Sequence, residues 1–189
     1  MLRTLPQIRY QGQVYRLAAA AVFTLLTILS ARVTIETGLV PFTLQPLAVL
    51  LAGLTLGARD GAISQVVYVA LIAAGLPLDA RGLGAAALFG PTGGYLIGFV
   101  AAAAAAGWLA ERGGSRLWQR WLAGVAGIAV LYLFGVAHLQ MYAGMDWSAA
   151  WAAGGAPFLL PDLAKAVIAA ALAEGGRKVL LWHKSTTSR

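Results

Sequence analysis

Asp162 and Lys165 lie one helical turn apart in the stretch Pro161-Asp162-Leu163-Ala164-Lys165-Ala166-Val167-Ile168-Ala169-Ala170. A spacing of i to i+3 sets the carboxylate and the ammonium on one face of a helix. Their flanks are apolar, and an ionisable pair inside a hydrophobic helix is costly enough to mark a functional site. A water-filled cavity around the pair would lower that cost. The alternative is an ion pair that only fixes helix packing. Pro161 at a helix start and Asp162 in its first turn would also suit an ordinary helix N-terminus.

Three further motifs carry polar groups or special backbone. Pro41-Phe42-Thr43-Leu44-Gln45-Pro46 is expected to be extended or turned, because its prolines disfavour helix. That backbone would point Thr43 and Gln45 towards the mouth of a bundle, or it is a simple capping loop. Gly90-Pro91-Thr92-Gly93-Gly94-Tyr95-Leu96-Ile97-Gly98 combines a turn with a Gly94/Gly98 pair suited to close helix contact. Thr92, Gly93 and Tyr95 are site candidates there, and Gly98 reads as packing. The string lacks the Lys-Ser/Thr of a phosphate loop. Leu76-Pro77-Leu78-Asp79-Ala80-Arg81-Gly82-Leu83-Gly84 is either a lid over a pocket or a flexible connector. His138 and Gln140 read as packing or interface groups. The chain has no cysteine, so disulfides and thiolate chemistry are excluded. His138 and His183 offer no metal spacing, and no HExxH or pair of nearby carboxylates within a span suggests an enzyme. No cofactor is expected.

The elements that must position these groups are membrane helices. The chain of 189 residues is 60% hydrophobic and 11% charged, against about 25% charged in a soluble domain. A span needs about 20 apolar residues. Six runs qualify or nearly qualify: about 16–35, 44–58, 62–76, 93–110, 118–142 and 159–182. The second and third are short and read as a hairpin turning at Arg59-Asp60-Gly61. The expected fold is therefore a single all-α transmembrane domain over 1–189 with six spans. Arg3, Arg9 and Arg16 followed by Leu17–Leu29 and Ser30-Ala31 have the look of a signal peptide. With five further spans behind it, the run is expected to stay as the first helix.

Six spans put both termini on one side. Arg3, Arg9, Arg16, Arg59, Arg112, Arg116, Arg120, Arg177, Lys178, Lys184 and Arg189 then share that side, eleven cations against Arg32 and Arg81 opposite. This asymmetry predicts cytoplasmic termini. It also explains the net charge of +7 without nucleic acid. Trp108, Trp118, Trp121 and Trp182 near the inner boundaries, with Trp147 and Trp151 near an outer one, fit interfacial belts.

Taken in order, Thr43-Leu44-Gln45, Gly75-Leu76-Pro77, Gly90-Pro91-Thr92-Gly93-Gly94-Tyr95 and Asp162-xx-Lys165 closely resemble the BioY family. These are the biotin-binding S components of energy-coupling factor vitamin transporters. The resemblance runs from about Arg16 to about Glu174. It implies a six-helix plasma-membrane protein that captures biotin from outside. It further implies docking on a transmembrane coupling protein driven by two cytoplasmic ATPases, with toppling of the S component carrying the ligand inward. By the same resemblance Asp162 and Lys165 would contact biotin. The ureido ring has N–H donors for Asp162, Lys165 can donate to an oxygen, and Tyr95 and Thr43 are candidate walls for the apolar parts.

The chain departs from the family pattern in two places. It contains no Asn, although many relatives carry one in the loop occupied here by Leu78–Gly82. Asp79, Arg81 or water would have to replace it, and Arg81 is a candidate partner for the ligand carboxylate. S components often show an Ala-xxx-Ala docking face on the first helix; here Ala18 to Ala21 are followed four residues later by Val22, Phe23, Thr24 and Leu25, so among them only Ala20/Thr24 keeps a small-xxx-small pair. Two other readings remain, an S component for another vitamin and a structural or channel subunit with an architectural Asp–Lys pair.

Overall fold

The computed structural model describes residues 12–114 and 116–187, with side chains as far as 178. Arg3, Arg9, Trp182, His183, Lys184 and Arg189 therefore lie outside the residues or side chains described. The order is α1 (Gly12–Ala31), β1 (Thr34–Ile35), β2 (Phe42–Thr43), α2 (Gln45–Ala73), α3 (Ala86–Phe89), α4 (Gly93–Arg112), α5 (Leu117–Ala143), α6 (Trp147–Gly154) and α7 (Ala156–Thr187). Five of these helices are long and apolar enough to cross a membrane, and the chain is an all-α multi-pass membrane protein.

The second long element is not straight. Gly57 takes φ 85°, ψ −179° inside it, a conformation open to glycine but not to residues with a Cβ. The chain folds back there, two residues before the expected Arg59-Asp60-Gly61 turn. Gln45 Nε2 donates to Tyr68 OH at 2.6 Å, whereas a straight helix would separate residues 23 apart by about 34 Å. The break frees two backbone groups of the i→i−4 ladder. Ala58 N–H donates to Glu111 Oε1 at 2.9 Å, and Leu54 C=O accepts from Arg120 Nη1 at 3.1 Å. Opposite charges from α4 and α5 thus replace the lost hydrogen bond. Arg120, counted from sequence among the inner-side cations, is fully buried and paired with Glu174 of α7 at 3.1 Å. Arg177 shares that carboxylate.

α4 occupies the centre, between α2 and α5. Small residues let backbones approach where lipid removes the hydrophobic drive for association. Ala102, Ala103 and Ala106 are fully buried. A Cβ at Gly94 would strike His138 and the Phe134 carbonyl, so the glycine pair serves packing. The α1 helix sits at the edge, against the returning arm of α2. Thr24 Oγ1 donates to Ser64 C=O at 2.8 Å, and Thr27 meets the Gln65 amide. Ala20 and Thr24 are both buried. The Ala20/Thr24 pair on the first helix therefore faces into the bundle, and Leu17, Val22, Leu25 and Leu29 are among the residues exposed.

Two features differ from the sequence expectation at the cavity end. Pro46 falls in the first turn of α2, where a missing N–H costs nothing, so helix begins inside the proline-flanked motif. The α7 helix starts at Ala156, not near 159, with Pro161 inside it. The short helices α3 and α6 fill connections that hydropathy alone leaves as loops.

Candidate functional site

Asp162 and Lys165 project from the second and third turns of α7 into a cavity at the end of the bundle opposite Gly57. Asp162 is 2% exposed and Lys165 5%. Lys165 Nζ donates to Asp162 Oδ1 at 2.7 Å and to the Thr43 carbonyl at 2.7 Å. It also stands 4.0 Å from the centroid of the Phe42 ring, a cation–π contact. The β1–β2 pairing, Thr34 with Thr43 and Ile35 with Phe42, holds that strand in place. Tyr132 of α5 donates to Asp162 Oδ2 at 2.7 Å. An ammonium has three donors and a carboxylate about four acceptor sites. One Lys165 donor and two Asp162 lone-pair sites thus remain for a ligand.

The cavity has about 60 Å³ of space for a water-sized sphere and is partly open to solvent, so it is contracted relative to an ordinary small-molecule site of roughly 300–1,000 Å³. Phe42, Leu96, Phe99, Leu131 and Phe158 give it apolar walls. Of the residues expected from sequence, Thr43, Gln45, Arg81, Thr92, Tyr95, Asp162 and Lys165 all line it. Gln45 is held by Tyr68 and by Thr43 Oγ1, which lies 3.3 Å from its Oε1. Tyr95 donates to the Gly154 carbonyl at 2.7 Å and so ties α4 to the end of α6. Gly93 does not line the cavity. A Cβ there would collide with the Leu88 carbonyl, so its part is to let α4 start against α3 and turn Thr92 and Tyr95 inward.

The 76–84 connection folds over the rim. Asp79 is buried and accepts Arg81 N–H at 3.0 Å and Gly84 N–H at 2.8 Å, so both its oxygens brace the loop. Arg81 lines the cavity yet pairs with Glu36 at 2.7 Å, and its Nη2 also donates to the Gly38 carbonyl at 2.6 Å. The hydrogen bonds from Arg81 hold the Glu36 carboxyl below the usual carboxylate range. Arg32 Nη2 reaches the Pro77 carbonyl at 2.5 Å, a second tie between the two loops.

Sequence reasoning missed Tyr132 and the aromatic walls. Tyr132 is a lone hydroxyl in the apolar middle of α5, and that is the only signal it offers. Phe42 was inside a quoted motif but carried no polar group.

The arrangement binds rather than reacts. Its floor offers acceptors and one cationic donor to a small polar head, its middle is apolar, and its rim carries a guanidinium suited to an anionic tail. The sequence pattern of the BioY family matches residues 5–181. The chain belongs to the BioY family. Among its relatives, the biotin transporter BioY of Thermotoga maritima is 43% identical over 84% of this chain and 93% of that protein. The biotin transporter BioY of Rhizobium etli is 40% identical over 79% and 83% respectively. The crystal structure of an S-component for biotin from an ECF-type ABC transporter superposes with a TM-score of 0.82. It covers 89% of this chain and 95% of its own at 24% identity, and so shows that the fold is shared.

Proposed function

We propose that this chain is the biotin-binding S component of a vitamin uptake transporter in the plasma membrane. Family membership and relatives named biotin transporters support the reading. The observation that carries it is the buried Asp162–Lys165 floor, with hydrogen-bonding capacity left over and facing a cavity. Asp162 accepts a ureido N–H, Lys165 donates to a ligand oxygen, and the thiophane ring lies against Phe42, Tyr95, Phe99 and Phe158. Thr43 holds Lys165 through its carbonyl. Gln45 and Thr92 complete the polar lining, Gly93 sets the start of α4, and Arg81 takes the valerate carboxylate.

The two arms of α2 each cross the bilayer, which makes six spans with cytoplasmic termini and the cavity opening outward. A transmembrane coupling protein and two cytoplasmic ATPases act with this subunit, which then topples to deliver biotin inward. Equilibrium binding of biotin against thiamine and riboflavin tests the ligand. Tight binding of biotin alone is expected, and equal or better binding of another vitamin overturns the assignment. A C-terminal tag readable from outside intact cells overturns the topology.

A further inference from the structure

Beside Arg81, outside the residues that line the cavity, stands the Glu36 carboxylate, a group like the one at the end of the ligand. Arg81 lines the cavity, but each of its three side-chain nitrogens donates to one segment of the opposite loop. Nε and Nη2 reach Glu36 Oε2 at 3.1 and 2.7 Å. Nη2 also reaches the Gly38 carbonyl at 2.6 Å, and Nη1 the Leu39 carbonyl at 3.3 Å. A guanidinium binds a carboxylate best through two parallel N–H donors, and here that edge is taken by Glu36. Arg81 cannot offer the same edge to a second carboxylate while Glu36 holds it.

We propose that Glu36 is an internal competitor for the ligand carboxylate, occupying Arg81 until the tail of the ligand displaces it. The inference rests on the biotin reading above. Two observations make the exchange physically cheap. The Glu36 side chain is 58% exposed, so it returns to water when released. The loop also has supports that do not involve Glu36. Thr37 Oγ1 donates to the Val40 carbonyl at 2.7 Å, and the β1–β2 pairing closes the base of the loop. Glu36 thereby makes the cavity selective for a tail that binds Arg81 better than a tethered carboxylate does, which a neutral tail does not.

The test uses the full chain in nanodiscs, with biotin and its neutral-tailed analogue biotinamide as probes. Affinities are measured for the wild type, Glu36→Gln, Arg81→Ala and the double variant. Removing the competitor should tighten biotin by about two- to fivefold, the range expected for one exposed ion pair. Biotinamide affinity should not change, and the gain should vanish in the Arg81→Ala background. Unchanged or weaker biotin binding by Glu36→Gln overturns the inference alone. Equal tightening of biotin and biotinamide does so too, since it would make Glu36 a general barrier. A wild-type chain that binds neither probe overturns the biotin reading and this inference with it.

Discussion

Two ion pairs built from similar groups in opposite settings meet the cavity, one wholly and one through Arg81 alone. At the floor, Lys165 and Asp162 have side chains 6% and 4% exposed; at the rim, Arg81 and Glu36 are 25% and 58% exposed. The floor pair sits three residues apart on one helix and is locked from two other elements, by Tyr132 and by the Thr43 carbonyl. The rim pair joins two loops 45 residues apart. Removing one member of a buried pair strands a charge at a cost of several kcal/mol. Exposed pairs contribute little and are screened by salt. The floor pair is therefore held in one arrangement, whereas the rim pair is free to exchange partners.

The sharpest way to break this contrast is at the floor. Asp162→Asn keeps shape but replaces an acceptor with a donor, and Lys165→Met keeps the stem without donors. Each should lower biotin affinity by about 30-fold or more, corresponding to roughly 2–5 kcal/mol for a desolvated charged partner. The double variant Asp162→Asn/Lys165→Met should regain thermal stability relative to either single yet still bind poorly. A stable double variant with wild-type affinity would reduce the pair to a packing device.

At the rim the expected change is smaller. Arg81→Ala should weaken biotin by roughly tenfold, about 1.4 kcal/mol, and the loss should shrink at high salt. A salt-independent loss would place Arg81 with the floor. The smallest effect is in pH. Pairing depresses the Glu36 pKa, so its contribution is complete above the unfolded value of about 4.3. It is lost as pH falls through the lower folded value. Protection of the 36–40 amides, measured relative to the intrinsic exchange rate at each pH, should therefore fall as the pH drops below that value. In Glu36→Gln that pH dependence should be absent, and an identical profile in both proteins would separate loop order from the ion pair.

Much of the site was legible because it obeys local rules. The period of a helix puts Asp162 and Lys165 on one face, and prolines and glycines announce the motifs around Thr43 and Thr92. Tyr132 was not legible, because a tyrosine in an apolar helix looks the same whether its hydroxyl meets a carboxylate or a headgroup. The partners of Arg120 were hidden for a similar reason. Counted as a boundary cation, it is buried against the Leu54 carbonyl, an acceptor that exists only because α2 breaks.

The sequence by itself determined a membrane protein of long apolar helices, with the Asp162–Lys165 pair set into an apolar stretch of the last of them. Hydropathy and helical period are properties of neighbours in the chain, and composition alone carries them. Only the tertiary structure decided where α2 folds back. Gly53, Gly57 and Gly61 are all glycines able to permit it, and Gly57 is the one at which Glu111 and Arg120 stand ready to satisfy Ala58 N–H and Leu54 C=O. It also decided that Lys165 would meet the backbone of Thr43, 122 residues away. A hydrogen bond between elements depends on how helices pack, and no spacing along the chain encodes it.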